Sequence, residues 1–284
     1  MNKSVNGGAT DTIDRLSSFL ESQDALAIAV SGGVDSVTLA WIAHKALPNT
    51  CQMVHAISPA VPPEATALVK RYASQAGWHL TIIDAGEYND QRYKDNPVNR
   101  CYYCKTNLYA RIEAVTGRLI ASGTNTDDLG DYRPGLQAAT QHAVIHPYVE
   151  TCIDKQTIRA LATHCGLTDV AILPAQPCLA SRVETGIPIN AVDLEFINTM
   201  ESMVRTQLNN GDIRCRITAK GIRLEIDPLL FDQSDQVKAD LQRAGVEQMA
   251  TAFCLKEKRQ FIGIENYARG SAFIHKPAIA IKPL

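Results

Sequence analysis

Short apolar runs alternate with amphipathic stretches through the first half of the chain. Ile13, Leu16, Phe19 and Leu20 recur at helical spacing and predict a helix over 11–21. Residues 25–30 form a compact apolar run, read as a buried strand that stops at the small-residue turn Ser31-Gly32-Gly33, and 34–46 read as a helix. Apolar runs at 52–57, 79–84 and 118–122 repeat the rhythm, with helices predicted over 63–76 and 105–115 between them. Such alternation predicts a parallel sheet covered on both faces. Ligands in sheets of this kind bind beyond the carboxyl ends of the strands, and the turn after Val30 lies at such an end.

A helix over 155–165 and a strand over 169–173 precede the Pro-rich stretch 174–188, read as an ordered loop leading to a second domain. Beyond it the pattern predicts a helix over 191–207, a hairpin of 213–217 with 221–226, and a helix over 234–244. A chain of 284 residues exceeds the usual span of one domain. The expectation is an α/β protein with a larger domain over 1–186 and a smaller α/β domain over 187–284. Hydrophobic residues at 45% and charged residues at 20% are ordinary for a packed core. No repeat or low-complexity segment interrupts the pattern.

Charge narrows the partners. The 28 Lys and Arg against 30 acids leave a net charge of -2, so no strong field favours nucleic acid. Residues 1–13 carry one Lys and no apolar run, and the nonpolar stretch that ends at Val30 is too short for a bilayer, which predicts a cytoplasmic protein with no membrane partner. Eight cysteines at irregular spacing predict reduced thiols rather than a disulfide framework. Cys51, Cys152, Cys165, Cys215 and Cys254 sit among apolar residues, where a thiol serves as a small hydrophobe. Three cysteines remain for chemistry.

Ser31-Gly32-Gly33-Val34-Asp35-Ser36 joins the first strand to a helix, so amides at the helix N-terminus face the turn and suit an anion. The glycines allow close approach to phosphate oxygens, Ser31 and Ser36 offer hydroxyls, and Asp35 is a candidate Mg²⁺ ligand. The alternative is an ordinary strand-to-helix turn. The full string resembles the PP-loop of ATP pyrophosphatases, which implies a sheet of the adenine nucleotide alpha hydrolase type and cleavage of ATP to AMP and pyrophosphate. The loop lacks the Lys of GxxxxGK[ST], which disfavours a kinase or motor. A second polar loop, 123–135, follows the strand ending at Ser122 and is expected near the first. Gly123 and Asn125 are candidates for nucleotide contact, Asp127, Asp128 and Asp131 for Mg²⁺, and Arg133 for phosphate. Helix capping and turn formation by the same Asp and Asn residues is the competing reading.

Cys101-Tyr102-Tyr103-Cys104 has metal or redox spacing, and Cys178 lies in Pro177-Cys178-Leu179-Ala180-Ser181-Arg182. Zinc would need a fourth ligand that the sequence does not offer, and a thioredoxin-like site would need another topology. Three thiolates suit an iron-sulfur cluster with one uncoordinated iron. Structural packing of the pair and a buried thiol at Cys178 are the competing readings.

The segment 96–105, the 123–135 loop and the PCLASR motif together resemble the LarE family over most of the chain. That resemblance implies a PP-loop domain followed by a small α/β domain, acting in biosynthesis of a nickel-pincer nucleotide cofactor. It implies adenylation of a carboxylate on a pyridinium dicarboxylate mononucleotide, release of pyrophosphate, and conversion to a thiocarboxylate. Cys178 matches the family's central cysteine. In one subgroup that residue gives up its own sulfur, and in the other three cysteines hold a 4Fe-4S cluster. Cys101 and Cys104 place this chain with the cluster type, which needs a sulfide donor.

Arg214 and Arg216 flank Cys215 in the predicted hairpin and would present both guanidiniums on one face, with Ile213, Cys215 and Ile217 turned inward. Paired forks suit a phosphate. The resemblance places these arginines near the substrate phosphate, with Glu201 as an acidic site residue and Arg182 as a further candidate; a solvated edge strand is the alternative. The family also tends toward homo-oligomers. Rival readings are a PP-loop tRNA thiolase, an amidating ligase using ammonia, and a non-catalytic nucleotide or iron-sulfur carrier.

Overall fold

Short runs of mostly buried residues pair into a sheet, and helices cover it. A computed structural model of the chain describes residues 3–130, 134–175, 177–208 and 211–268. They divide by compactness into two units, Met1–Gln176 and Pro177–Leu284. Asp131, Arg133 and the tail 270–284 lie outside the described residues.

In the first unit the order is α1 (Lys3–Glu21), β1 (Leu26–Ala29), α2 (Val34–Ala46), β2 (Cys51–Ile57), α3 (Pro63–Ala76), β3 (Leu80–Asp84), α4 (Gln91–Lys94), α5 (Arg100–Thr116), β4 (Leu119–Ala121), α6 (Pro134–Gln141), α7 (Pro147–Glu150), α8 (Lys155–His164) and α9 (Thr168–Ala171). The four strands are parallel in the order β3-β2-β1-β4. Side chains alternate across this sheet as its pleat requires. Leu26, Ile28 and Met53 enter the core shared with α1, α2 and α8, while Ala27, Val54 and Ile120 enter the core shared with α5 and α6. Helix α2 carries apolar residues almost all round, because Val34, Val37, Leu39, Ala40, Ile42 and Ala43 are all buried. Each fully buried Leu or Ile stabilises by about 1.5–3 kcal/mol relative to exposure, so packing rather than propensity holds this helix.

The strand order places the site. Successive strands β1, β2 and β3 run outward in one direction, whereas β4 returns to the other side of β1. Such a reversal leaves a crevice beyond the carboxyl ends of β1 and β4. The loops that follow those two strands begin at Val30 and Ser122.

In the second unit, α10 (Ala191–Leu208) packs on a sheet of β5 (Ile213–Thr218), β6 (Gly221–Ile226) and β7 (Phe261–Asn266), with α11 (Gln236–Lys256) between the last two strands. β5 and β6 are antiparallel, and β6 and β7 parallel. Phe196 of α10 stacks on Phe253 of α11 with centroids 5.0 Å apart.

Two expectations are corrected. Residues 169–173 are not a strand: Thr168–Ala171 form helix α9, with Val170 and Ala171 buried and Ile172 exposed. A five-residue apolar run carries no period that separates a strand from a buried helical turn. Helix α5 starts at Arg100 rather than 105, so Cys101 and Cys104 lie in its first two turns. The aromatic and charged residues there hide the start of the helix from a reading based on apolar periodicity. The division between the units falls after Gln176, because 177–184 is tied to β5 by a Val183–Ile217 bridge and by the Glu184 amide donating to the Ile217 carbonyl at 2.9 Å. Among the described residues no helix is long and apolar enough to cross a membrane.

Candidate active site

The loop after β1 is held from within. The Ser31 amide donates to Ser36 Oγ at 3.0 Å, Ser36 Oγ donates to the Gly33 carbonyl at 3.1 Å, and the two serine hydroxyls are 3.1 Å apart. Gly33 is the N-cap of α2 and brings no side chain to its amides. Gly32 has φ +89°, and a Cβ there would stand 2.9 Å from both the Cβ and the carbonyl oxygen of Ala65. The loop therefore combines uncapped helix amides with a backbone path that only glycine follows easily.

Gly123, the first residue after Ser122 at the end of β4, closes against this loop: a Cβ on it would lie 3.0 Å from the Asp35 carbonyl carbon and the Ser36 nitrogen. The two loops thus meet at the crevice, as the strand order requires. Asn125 is buried, and its side-chain oxygen accepts from the Asp127 amide at 3.0 Å. Asp128 accepts from the Asn125 amide at 3.2 Å, and Asp127 from the Lys155 amide at 3.2 Å. These three residues thus make the turn-forming and capping bonds of the competing reading. Arg133, expected at the same loop, lies outside the described residues.

Asp35 occupies the first turn of α2, where Lys155 Nζ meets its Oδ2 at 2.5 Å and Tyr148 donates to its carbonyl at 3.0 Å. Its other carboxylate oxygen, Oδ1, is buried and has no hydrogen-bond partner among the described residues. Burial raises the carboxyl pKa above its usual value, against the opposing pull of Lys155. A hard oxygen held open beside the uncapped amides of this loop suits Mg²⁺. Sequence reading missed Lys155 and Tyr148; only the Asp154 cap, which accepts from the Thr157 amide at 2.7 Å, marked the start of α8 locally.

His55 supports the loop from β2. Its Nδ1 lies 2.7 Å from the Val30 carbonyl and its Nε2 2.9 Å from Thr66 Oγ1, a pattern that suits the neutral ring with the proton on Nδ1. Burial holds its pKa below the usual imidazole value, and the half-buried His146, 2.9 Å from Ser122 Oγ, is lowered for the same reason. The unfolded chain binds protons that these sites refuse, so stability should fall as pH is lowered through about 6.5 toward the folded values. Thermal melts across that range should show the fall, and His55→Gln should flatten it.

The eight cysteines divide. Burial pushes Cys51 up to about 12 and Cys254 to about 11, and Cys215 is also raised by burial, so these thiols are poor nucleophiles at neutral pH. Cys165 is half-buried, whereas Cys152 is exposed at φ +52° and does not serve as a small hydrophobe. Cys101, Cys104 and Cys178 are half-buried. Cys101 and Cys104 belong to the first unit and Cys178 to the second, and among the described residues no group of three His, Cys, Asp or Glu side chains is arranged to hold a metal.

In the second unit the structure brings together Cys178, Arg182, Glu201 and Arg216. Arg182, 3% exposed, forms a two-pronged pair with Glu201, which is 1% exposed, at 2.9 and 3.2 Å. The same guanidinium donates to the carbonyls of Pro177 at 2.6 Å and Cys178 at 3.2 Å. Glu201 also accepts from Arg205 at 2.8 Å and from the Cys215 amide at 3.0 Å. Burial pulls its pKa up, but Arg182, Arg205 and the Cys215 amide outweigh that and leave it below the usual value. Arg216 pairs with Glu225 at 2.8 Å and donates to the Ser181 carbonyl at 2.9 Å. Arg214 pairs with Asp212 at 2.9 Å and lies over the Tyr267 ring. Both β5 arginines are buried, so neither a solvated edge strand nor a freely presented pair of forks describes them.

No family model matches the chain. The Synechocystis protein slr1717 is 31% identical over 247 residues, covering 85% of this chain and 88% of its own length. The chain belongs to the slr1717 family. Protein MJ0830 of Methanocaldococcus jannaschii is 29% identical over 201 residues, 66% of this chain and 72% of that one. A more distant relative is the pyridinium-3,5-bisthiocarboxylic acid mononucleotide synthase of Lactiplantibacillus plantarum, 25% identical over 237 residues, 80% of this chain and 84% of the synthase. The slr1717 family member described above is therefore distantly homologous to a LarE enzyme, and its parallel four-stranded sheet and second small mixed sheet are consistent with a PP-loop fold.

Proposed function

We propose that this protein is an ATP-dependent sulfurtransferase of the LarE type. It would convert a carboxylate of a pyridinium dicarboxylate mononucleotide to a thiocarboxylate. The observation that carries the reading is the loop 31–36, with its uncapped α2 amides and the open, buried Asp35 Oδ1. The distant relation to the Lactiplantibacillus synthase supports the choice of substrate.

The chemistry follows from leaving groups. A carboxylate resists attack because its charge is delocalised and oxide does not leave. When its oxygen attacks the α-phosphorus of ATP, an O–P bond forms, the α–β bridge breaks and pyrophosphate departs. The acyl adenylate then accepts a sulfur nucleophile at carbon and expels AMP. The backbone amides at Gly32 and Gly33 would take phosphate oxygens, Asp35 would hold Mg²⁺, and Lys155, already beside Asp35, would neutralise the departing pyrophosphate. Gly123, Asn125, Asp128 and Arg133 are proposed to shape the nucleotide side of the crevice.

Cys178 is the proposed centre of sulfur transfer, with Glu201, Arg214 and Arg216 around it. Cys101, Cys104 and Cys178 are proposed ligands of a 4Fe-4S cluster, on the strength of their thiolate chemistry and half-buried positions. Such a cluster would supply a sulfide-carrying iron, refilled by a sulfide donor. A cytoplasmic homo-oligomer is part of the same proposal.

Lys155→Met should lower pyrophosphate release by about tenfold to a hundredfold, measured by coupled pyrophosphatase assay at saturating substrate. Turnover at the wild-type rate would remove Lys155 from the mechanism. The reading as a whole is tested by incubating the purified chain with ATP, Mg²⁺, sulfide and pyridinium-3,5-dicarboxylic acid mononucleotide. Mass spectrometry should find one carboxylate oxygen replaced by sulfur. Turnover of ATP only with tRNA, or formation of an amide with ammonia, would replace this reading by one of its rivals.

A further inference from the structure

Arg182 and Arg216 both direct hydrogen bonds at one short turn. The 3-10 helix following Cys178 spans only Leu179–Arg182 and satisfies two carbonyls of this segment, that of Cys178 from the Ser181 amide at 2.9 Å and that of Ala180 from the Val183 amide at 3.2 Å, so arginine side chains add the further bonds that hold it. Pro177 and Cys178 carbonyls and the Ser181 hydroxyl all accept from Arg182 Nη1, at 2.6, 3.2 and 3.1 Å. The Ser181 carbonyl accepts from Arg216 Nη1 at 2.9 Å. Each guanidinium is anchored behind by a buried carboxylate, Glu201 for Arg182 and Glu225 for Arg216. Glu201 is fixed in turn by Arg205 and by the backbone of β5 through the Cys215 amide.

We infer that Arg182 and Arg216, backed by Glu201 and Glu225, form a clamp that fixes the turn bearing Cys178, and that they are positioning residues for this thiol. The inference rests on the reading of Cys178 as the sulfur-transfer residue, and it assigns the two arginines and Glu201 roles that need no contact with substrate. A planar fork can bind two carbonyls and a carboxylate at once, which the lysine ammonium cannot do in the same geometry. Without the clamp the turn would sample other conformers, and misplacement of a reacting group by about 1 Å can cost about a hundredfold in rate.

Arg182→Lys tests the clamp because it keeps the charge and removes the fork. Alkylation of Cys178 by iodoacetamide, followed by peptide mass spectrometry with the exposed Cys152 as internal reference, should accelerate about tenfold as the turn opens locally. The amount of pyrophosphate released per thiocarboxylate formed should rise by about tenfold, since adenylation would proceed without efficient sulfur delivery. An unchanged Cys178 labelling rate would overturn the inference, as would faster labelling with an unchanged pyrophosphate-to-product ratio. Should Arg182→Lys fail to fold, Ser181→Ala decides: it removes one clamp bond, and labelling of Cys178 should rise by about twofold to threefold, with no change counting against the clamp. Cys178→Ser separates the two ideas, because thiocarboxylate formation by that variant would defeat the functional reading, while labelling of Arg182→Lys would still report on the turn.

Discussion

Gly32→Ala is expected to cut ATP-dependent pyrophosphate release by about a hundredfold while leaving the fold of the first unit intact. Two costs combine at this position. The backbone sits at φ +89°, where an L side chain is strained by about 1–2 kcal/mol. The added Cβ would also meet the Cβ and carbonyl oxygen of Ala65 at 2.9 Å, and a carbonyl in the first turn of α3 cannot retreat without moving that helix. The loop must shift, and the amides it aims shift with it. Steady-state assays should show both a raised KM for ATP and a lowered kcat, with a far-ultraviolet circular dichroism spectrum like that of the wild type. Wild-type turnover would mean that the loop does not hold the phosphates.

The largest effect on stability is expected in the second unit. Removing Glu201 strands Arg182 and Arg205 and leaves the Cys215 amide without its acceptor. Breaking a buried pair from one side costs about 3–5 kcal/mol, a large part of the stability of an ordinary domain. Urea denaturation of Glu201→Ala should show that loss. A double variant, Arg182→Met with Glu201→Leu, should recover the part of it that comes from the stranded Arg182, because apolar groups of similar volume can replace a buried ion pair at little net cost. Its Cys178 turn would nevertheless lack the Arg182 half of its clamp. Recovery of stability without recovery of sulfur transfer would separate folding from positioning in one molecule.

Much of the first unit is legible in the sequence because each signal is local. Helices 34–46 and 63–76 match the structure at both ends, the first opened by glycines and the second by Pro63 at its start and Gly77 in the left-handed region at its end. The meeting of the 31–36 and 123–130 loops is also legible, since a parallel sheet puts both at carboxyl ends of strands and Gly123 shows the close approach. What escapes is long-range pairing. Lys155 finds Asp35 across most of the unit, and nothing near either residue announces the other.

In the second unit the alternation of Arg214 and Arg216 with apolar residues reads as a strand with one wet face. Glu225, Asp212 and the 177–181 carbonyls instead supply enough partners to bury both cations. The strand β7 escapes too, because Phe261–Asn266 is a half-exposed strand beside β6 whose pattern is interrupted by Gly263 at φ +126°. Helix α11 runs to Lys256, well past residue 244, since Gly245 breaks the helical signal without breaking the helix.

The central claim is that nucleotide is cleaved between its α- and β-phosphates at the loop 31–36. Chromatography of the nucleotide products after incubation with ATP, Mg²⁺ and the pyridinium dicarboxylate mononucleotide tests it most directly. The prediction is AMP and pyrophosphate in equal amounts, formed only when the carboxylate substrate is present. Accumulation of ADP and phosphate, or ATP left intact with substrate present, would contradict it.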